Sequence, residues 1–398
     1  MRPTPRTVLV TDGEQRATLA LARSLGRAGY RVYACSSRGR SIAGASRYCS
    51  GEAKVSDALT EPVAFLADVT SLVRAWGVNV LIPVSEAALL SILPARERFD
   101  AVQIPFADAE TFRQVSDKEL VLRTAPRFGI RVPEQWTLTC PDALAAVSPV
   151  LAFPLVIKPS RSIGEHEGRR GKLTVRYAAD QRELNARLAD LDAGAYPVLL
   201  QRRVEGQGVG VFLLLWEGRT IAVFSHRRIR EKPPSGGVSV YRESIPADPT
   251  LVERSRALLE HFGWRGVAMV EYKRDEVSGE PYLMEINGRF WGSLQLAVDT
   301  GVDFPVLLLS AAAGRDPTPV LEYRTGVRSR WWWGDVDHLL ARMREPSPRL
   351  ETRANGGGKV RAVRDFLTLW RPGDRNEVLR LNDPRPFLRE TLDWFKGR

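Results

Sequence analysis

Cysteine and histidine are scarce in this chain, which has three of one and four of the other in 398 residues. Cys35, Cys49 and Cys140 have neither the even count of a disulfide framework nor the spacing of metal ligands. His166, His226, His261 and His338 are equally scattered, which argues against a zinc centre. No Ser–His–Asp or Cys–His arrangement stands out, so a covalent side-chain nucleophile is not expected. No apolar run approaches the roughly 20 residues that cross a bilayer. The opening MRPTPRTVLVTDG enters a strand without a secretory hydrophobic segment, so a cytoplasmic protein is expected. Lysine is rare as well, with eight against fifty arginines. The formal charge of +11 is carried by arginines interleaved with acids along the whole chain. Without a basic arm, a zinc finger or an aromatic RNA-binding strand, nucleic acid is not an expected partner. Internal repeats and low-complexity segments are also missing.

The rest of the composition, 44% hydrophobic and 26% charged, is that of a globular protein long enough for two or three domains. The N-terminal part alternates strands with helices. Strands are expected at residues 7–11, 30–35 and 78–83, and helices at 16–29, 62–76 and 86–97. Leu19, Ala22, Leu25 and Ala28 recur at helical spacing in the first helix. A parallel sheet of four or five strands fits this alternation. The first turn, Asp12-Gly13-Glu14, lacks the Gly-x-Gly-x-x-Gly of a dinucleotide site. Glu86 follows a strand at its carboxyl edge, where open α/β sheets bind ligands; it is read first as a helix-start residue and second as a substrate contact.

The chemistry is concentrated in residues 266–291, GVAMVEYKRDEVSGEPYLMEINGRFW. Strands at 267–272 and 281–286 flank a turn at 275–279, giving a hairpin. Glu271 lies on the first strand, and Glu285 and Asn287 share one face of the second because side chains alternate. Two carboxylates and an amide oxygen make a hard donor set suited to Mg²⁺, which keeps waters and takes further ligands from phosphates. Arg289 falls on the same side and can hold an anion. Exposed strand ends also carry Glu and Asn, but these sit in an apolar run where unpaired charge is costly. Lys158, inside the run FPLVIKP, is a second signal, since a buried lysine needs an anion beside it to keep its charge.

Glu271 followed fourteen positions later by Glu-Ile-Asn-Gly-Arg resembles the metal-binding core of the ATP-grasp superfamily. That superfamily includes biotin carboxylase, the D-alanine–D-alanine ligases and many carboxylate–amine ligases. The resemblance runs over residues 1–315 and is specific at Lys158, Glu271, Glu285, Asn287 and Arg289. It implies a mixed α/β (α+β) chain. A Rossmann-like parallel-sheet domain (1–115) would precede a two-lobed ATP-grasp fold (116–315) and a basic, helical C-terminal extension (316–398).

The resemblance also assigns roles. Lys118, opening a helix at 118–128 capped by Ser116 or Asp117, and Lys158 would meet nucleotide phosphates. Residues 160–172 would be the phosphate-covering loop, here with Arg169 and Arg170 in place of the usual glycine richness. Gln201 stands where the family often has an acid beside adenine. Val204 would offer its backbone there, and Glu205 would reach the ribose. Glu271, Glu285 and Asn287 would hold Mg²⁺, with Mn²⁺ as an alternative.

A loop over 226–244, with Arg228 and Ser235-Gly236-Gly237, would lie near the acceptor, and Arg228 and Arg289 would stabilise a developing oxyanion. ATP would convert a carboxylate into an acyl phosphate that an amine then attacks, releasing ADP and phosphate. A phosphotransferase and a nucleotide-binding regulatory protein are the rival readings. The partners are small carboxylates and amines, and many relatives are homodimers. Residues 316–398 carry no catalytic motif. Helices are expected at 336–344, 360–370 and 384–394, with a glycine-rich break at 355–358. Trp331, Trp332 and Trp333 pack on the core, line an acceptor pocket or form an interface.

Overall fold

The computed structural model describes residues 6–166, 168–234, 236–344, 359–368, 371 and 373–397. The N-terminal sheet has four parallel strands, in the order Gly51–Lys54, Arg31–Ser36, Thr7–Val10, Val80–Ile82. Thr7–Val10 is buried throughout, as expected of a parallel strand covered on both faces. Helix Arg16–Arg27 packs its apolar stripe on this sheet. Helix Glu86–Ile92 starts where Ser85 accepts a hydrogen bond from the Ala88 amide, and it passes into a 3₁₀ turn at Pro94 instead of continuing to 97.

A second sheet of four strands is antiparallel, in the order Gln135–Leu138, Val198–Arg202, Leu155–Pro159, Arg176–Ala178. Its inward residues, among them Leu138, Leu155, Ile157, Val198 and Leu200, form a small core with helix Gln181–Ala189. The other face of the same strands carries Leu199 opposite Lys158, and Leu199 joins the main core. The main core is continuous between the N-terminal sheet and a third sheet of seven strands. In that sheet Pro281–Asn287, Gly266–Asp275, Gly206–Trp216, Arg219–Lys232 and Val238–Ser244 are antiparallel neighbours. Among the described residues no single helix is long and apolar enough to cross a membrane.

Two further sequence-based expectations change. The stretch 160–172 is not an open loop, because Ile163–His166 and Arg169–Lys172 pair as a short hairpin. Its Arg170 donates to Ser91 Oγ of the N-terminal domain at 3.1 Å. The stretch 226–244 is mostly strand, since its charges are paired: Arg227 with Glu243 at 2.6 Å, Arg230 with Asp335 at 2.6 Å, and Lys232 with Asp337. Ser235 and the glycine-rich break at 355–358 lie outside the described residues.

The C-terminal extension has helices at Trp332–Arg344, Lys359–Leu367 and Arg385–Phe395. It also adds two strands, Arg328–Arg330 and Asp374–Asn376, to the large sheet. Trp331 lies against helix Arg385–Phe395: its Nε1 donates to Glu390 Oε1 at 2.8 Å. Trp332 and Trp333 open helix Trp332–Arg344, and Trp333 stacks on Trp394 with centroids 4.2 Å apart.

Burial pushes the Glu390 carboxyl up to about 7, against the pull of its bond from Trp331. The folded chain therefore holds a proton that the unfolded chain has lost between pH 4.5 and 7, and stability falls as pH rises through that window. Glu390→Gln keeps the acceptor for Trp331 without the charge. It should stabilise the protein by about 1–3 kcal/mol at pH 8, with the gain vanishing near pH 4.5. Urea denaturation at both pH values measures this, and a gain independent of pH would refute the assignment.

Candidate functional site

The small and large sheets face each other across a cleft of about 380 Å³. In its wall the register of the two strands sets Glu271 directly opposite Glu285. Like charges so placed repel, and the surrounding cations answer this. Arg228 reaches Glu271 Oε2 at 2.5 Å and Glu231 Oε1 at 2.8 Å. Lys118 Nζ lies 3.8 Å from Glu285 Oε2 and donates to Ser162 Oγ at 2.9 Å. Lys158 crosses from the small sheet to donate to the Met284 carbonyl at 2.8 Å. Asn287 Nδ2 donates to Glu285 Oε1 at 3.0 Å, and Arg289 Nη2 donates to Asn287 Oδ1 at 3.0 Å.

Charge states follow from this arrangement. Burial acts to raise both carboxyls. For Glu285 it is overcome by Lys118, Lys158, the Asn287 amide and Arg289, which hold the group down at about 2. Glu271 stays above its ordinary value, because burial and then Glu285 outweigh Arg228. Burial lowers Lys158, with Glu285 pulling the other way. Burial also opposes Arg228, but Glu271 and Glu231 hold it above its ordinary value.

Glu271, Glu285, Asn287, Arg289, Arg228 and Lys158 all line the cleft. Lys118 lines a water-sized pocket on the far side of Glu285, where Glu86 also stands with Ser162 and Arg289. Glu86 is thus both a helix-start residue and a neighbour of this cluster. Gln201 is buried at the opposite end of the cleft, its Nε2 donating to Gln135 Oε1 at 2.8 Å. The Val204 carbonyl accepts from Lys273 Nζ at 3.3 Å. Glu205 is exposed and does not line the cleft.

Sequence reasoning passed over Lys273, Glu231, His226 and Arg16, all of which line it. Lys273 carried a signal, lying two residues beyond Glu271 on one strand. Arg16 carried none, since it opens a helix far away in sequence. Burial takes His226 well below its ordinary value, and its Nε2 is 2.9 Å from Ser293 Oγ.

The donor set can be tested for a cation. Among the described residues no three His, Cys, Asp or Glu side chains cluster as a metal site by themselves. Two carboxylates and one amide oxygen remain, hard donors that suit a cation completing its shell with water and a ligand's oxygens. The residues present fit Mg²⁺.

Residues 195–333 match the profile of a family described as "ATP-grasp in the biosynthetic pathway with Ter operon". An L-amino acid ligase from Bacillus licheniformis is similar in structure, with a TM-score of 0.59, 17% identity, and 77% of this chain and 74% of that one covered. Biotin carboxylase from Campylobacter jejuni, in complex with β-γ-ATP, gives 0.64 at 13% identity, covering 82% and 74%. N5-carboxyaminoimidazole synthetase from Staphylococcus aureus, complexed with ADP, gives 0.60 at 12% identity, covering 82% of each chain. At these identities the likeness is one of fold. A curated relative, the carbamoyl phosphate synthase large chain of Rubrobacter xylanophilus, is 24% identical over 308 residues, or 72% of this chain. The chain spans 28% of that relative's length.

Arg228 bridges two carboxylates that are each mostly buried. Arg228→Met should destabilise the ligand-free protein by about 3–5 kcal/mol, because it strands both charges. Adding Glu231→Gln should recover part of that loss. Urea denaturation of both variants reads the effect, and additive losses would refute the coupling.

Proposed function

We propose that this chain, an ATP-grasp protein, is an ATP-dependent ligase that joins a carboxylate to an amine. The observation that carries the reading is the opposed pair Glu271 and Glu285, extended by Asn287 and flanked by the buried Lys158 and Lys118, at the wall of a cleft. Phosphoryl transfer needs positioning and charge neutralisation more than a side-chain nucleophile, and this set supplies both.

Glu271, Glu285 and Asn287 would hold Mg²⁺, which when bound neutralises β- and γ-phosphate oxygens of ATP. Lys158 reaches across the cleft to strand Pro281–Asn287 and would meet phosphate oxygens, while Lys118 stands behind Glu285 and supports its charge. Gln201, Val204 and Met284 line the opposite end, where the base would lie. Their mixed polar and apolar lining, with Gln201 buried, suits a heteroaromatic ring with hydrogen-bonding edges.

A substrate carboxylate oxygen attacks the γ-phosphorus, the bond to the β-phosphate oxygen breaks, and ADP leaves. The amine then attacks the acyl carbon, and phosphate departs with its bonding electron pair. Arg289, anchored by Asn287 and the Phe290 carbonyl at 3.1 Å, faces this region and stabilises the oxyanion, with Arg228 beside it.

The test is ADP and phosphate release from Mg-ATP with pooled carboxylic acids, with and without pooled amines, using wild type and Glu285→Gln. Release is expected to require both pools and to fall by about 100-fold or more in the variant, since the carboxylate is replaced by a neutral amide. ATP consumption without an amine, leaving a phosphorylated acid, would select a phosphotransferase. ATP binding without turnover would select a regulatory protein. Failure to bind Mg-ATP would sink all three.

A further inference from the structure

Beyond strand Pro281–Asn287 the cleft is lined by Arg16, His226, Trp291, Gly292 and Ser293. Arg16 belongs to the first helix of the N-terminal domain, yet the group that fixes it comes from the other end of the chain. Glu377 follows the last strand of the extension, Asp374–Asn376. Its carboxylate, 2% exposed, pairs through Oε2 with both Arg16 and Arg242, and the Arg242 side chain is fully buried.

Trp331 lies under the Arg16 guanidinium, 3.9 Å from ring centroid to Cζ, and donates to Glu390 of the last helix. The segment that bears Glu377 is itself clamped. Arg23, one further cation of the first helix, donates to the carbonyls of Glu377 at 3.0 Å and Val378 at 2.8 Å, and pairs with Asp383 at 2.9 Å. Arg380 pairs with Asp299 in the helix that follows the metal strand.

A single buried carboxylate therefore sets an arginine from a distant domain at the cleft's far end. One edge of that arginine stays on the cleft side: a Cβ built on Gly292 would lie 2.9 Å from Arg16 Nη2. Glycine at 292 leaves the guanidinium room to sit against the cleft wall.

We propose that Glu377 is a positioning residue of the active site, and that the arginine it fixes, Arg16, anchors an anionic group of the acid substrate. The inference rests on the ligase reading for its substrate, but the geometry of Arg16 can be tested without turnover. The extension is then part of the catalytic unit, because the far end of the cleft is incomplete without it. A planar guanidinium held from behind by one carboxylate and from below by an indole is pre-organised to meet a carboxylate with its free edge. The substrate implied is an acid with negative charge at the end remote from ATP, or one whose reacting carboxylate docks there before transfer.

Two variants separate positioning from folding. Glu377→Gln removes the charge that holds Arg16. Gly292→Ala displaces the tip of Arg16 and leaves the buried Glu377–Arg242 pair intact. With the acid and amine that support turnover, both should raise KM for the acid about tenfold or more, the value of one charge-assisted contact. KM for ATP should stay within about twofold, and Glu377→Asp should restore part of the loss. Crystal structures of wild type and both variants with Mg-ADP read Arg16 directly, and it should leave the Gly292 wall in each variant.

An unmoved Arg16, or KM values for acid and ATP that rise together, would overturn the proposal and leave the ligase reading standing. If no acid supports turnover by wild type, the ligase reading fails, and the position of Arg16 in the crystals alone decides the role of Glu377.

Discussion

The site depends on the repulsion between two carboxylates. Glu271 and Glu285 face each other across one pair of strands, a register that costs free energy unless cations surround it. The chain brings those cations from separate elements: Arg228 from the long strand Arg219–Lys232, one strand removed, Lys158 from the opposite sheet, Lys118 from a helix start. Lys118 and Lys158 are buried and Arg228 is nearly so, and such cations are costly to bury without the acids beside them. Acids and cations therefore hold one another in place, and the cleft is pre-charged for a ligand that carries both signs, such as a metal-bound phosphate ester.

The arginine-rich composition takes on a different meaning in this light. Fifty arginines stand against eight lysines. Several of the arginines are internal ties. Arg23, Arg242 and Arg330 are buried, and each bonds to an acid or a carbonyl remote in sequence: Arg23 to the Glu377 carbonyl, Arg242 to the Glu377 carboxylate and Arg330 to the Phe366 carbonyl. Asp335, fully buried, takes Arg230 at 2.6 Å and Arg330 at 2.6 Å. A planar fork with five donors can join several carbonyls and a carboxylate at once, which a lysine cannot do. Lys118 and Lys158, by contrast, are buried point charges close to Glu285 and its strand.

The same ties explain which parts of the fold were legible in the sequence. Helix 62–76 and the hairpin bearing Glu271 and Glu285 show clear periodicity and turn residues, and they appear where periodicity puts them. The stretch HRRIREK does not look like a strand, because its charges are neutralised by Glu243, Asp335 and Asp337, which no local window contains. Strands Arg328–Arg330 and Asp374–Asn376 are three residues each and largely charged, too short for any period to show. At the site, residues on one strand could be grouped by alternation. Arg16, Glu377 and Glu231 could not, since tertiary contact alone unites them.

The two walls of the cleft differ in how firmly they are built. The N-terminal sheet and the large sheet share one continuous core, whereas the small sheet has its own core of a few aliphatic residues. Leu199 and Ile163 reach the main core, and they are joined by polar ties: Lys158 to the Met284 carbonyl, Lys118 to Ser162, and Arg170 to Ser91. Polar contacts of this kind exchange for ligand or water at little net cost, while a shared apolar core does not part without exposing its area. The small sheet and its hairpin are thus the more weakly tied side of the cleft. Strand Pro281–Asn287, Arg289 and the cleft end at Arg16 belong to the side that shares the continuous core.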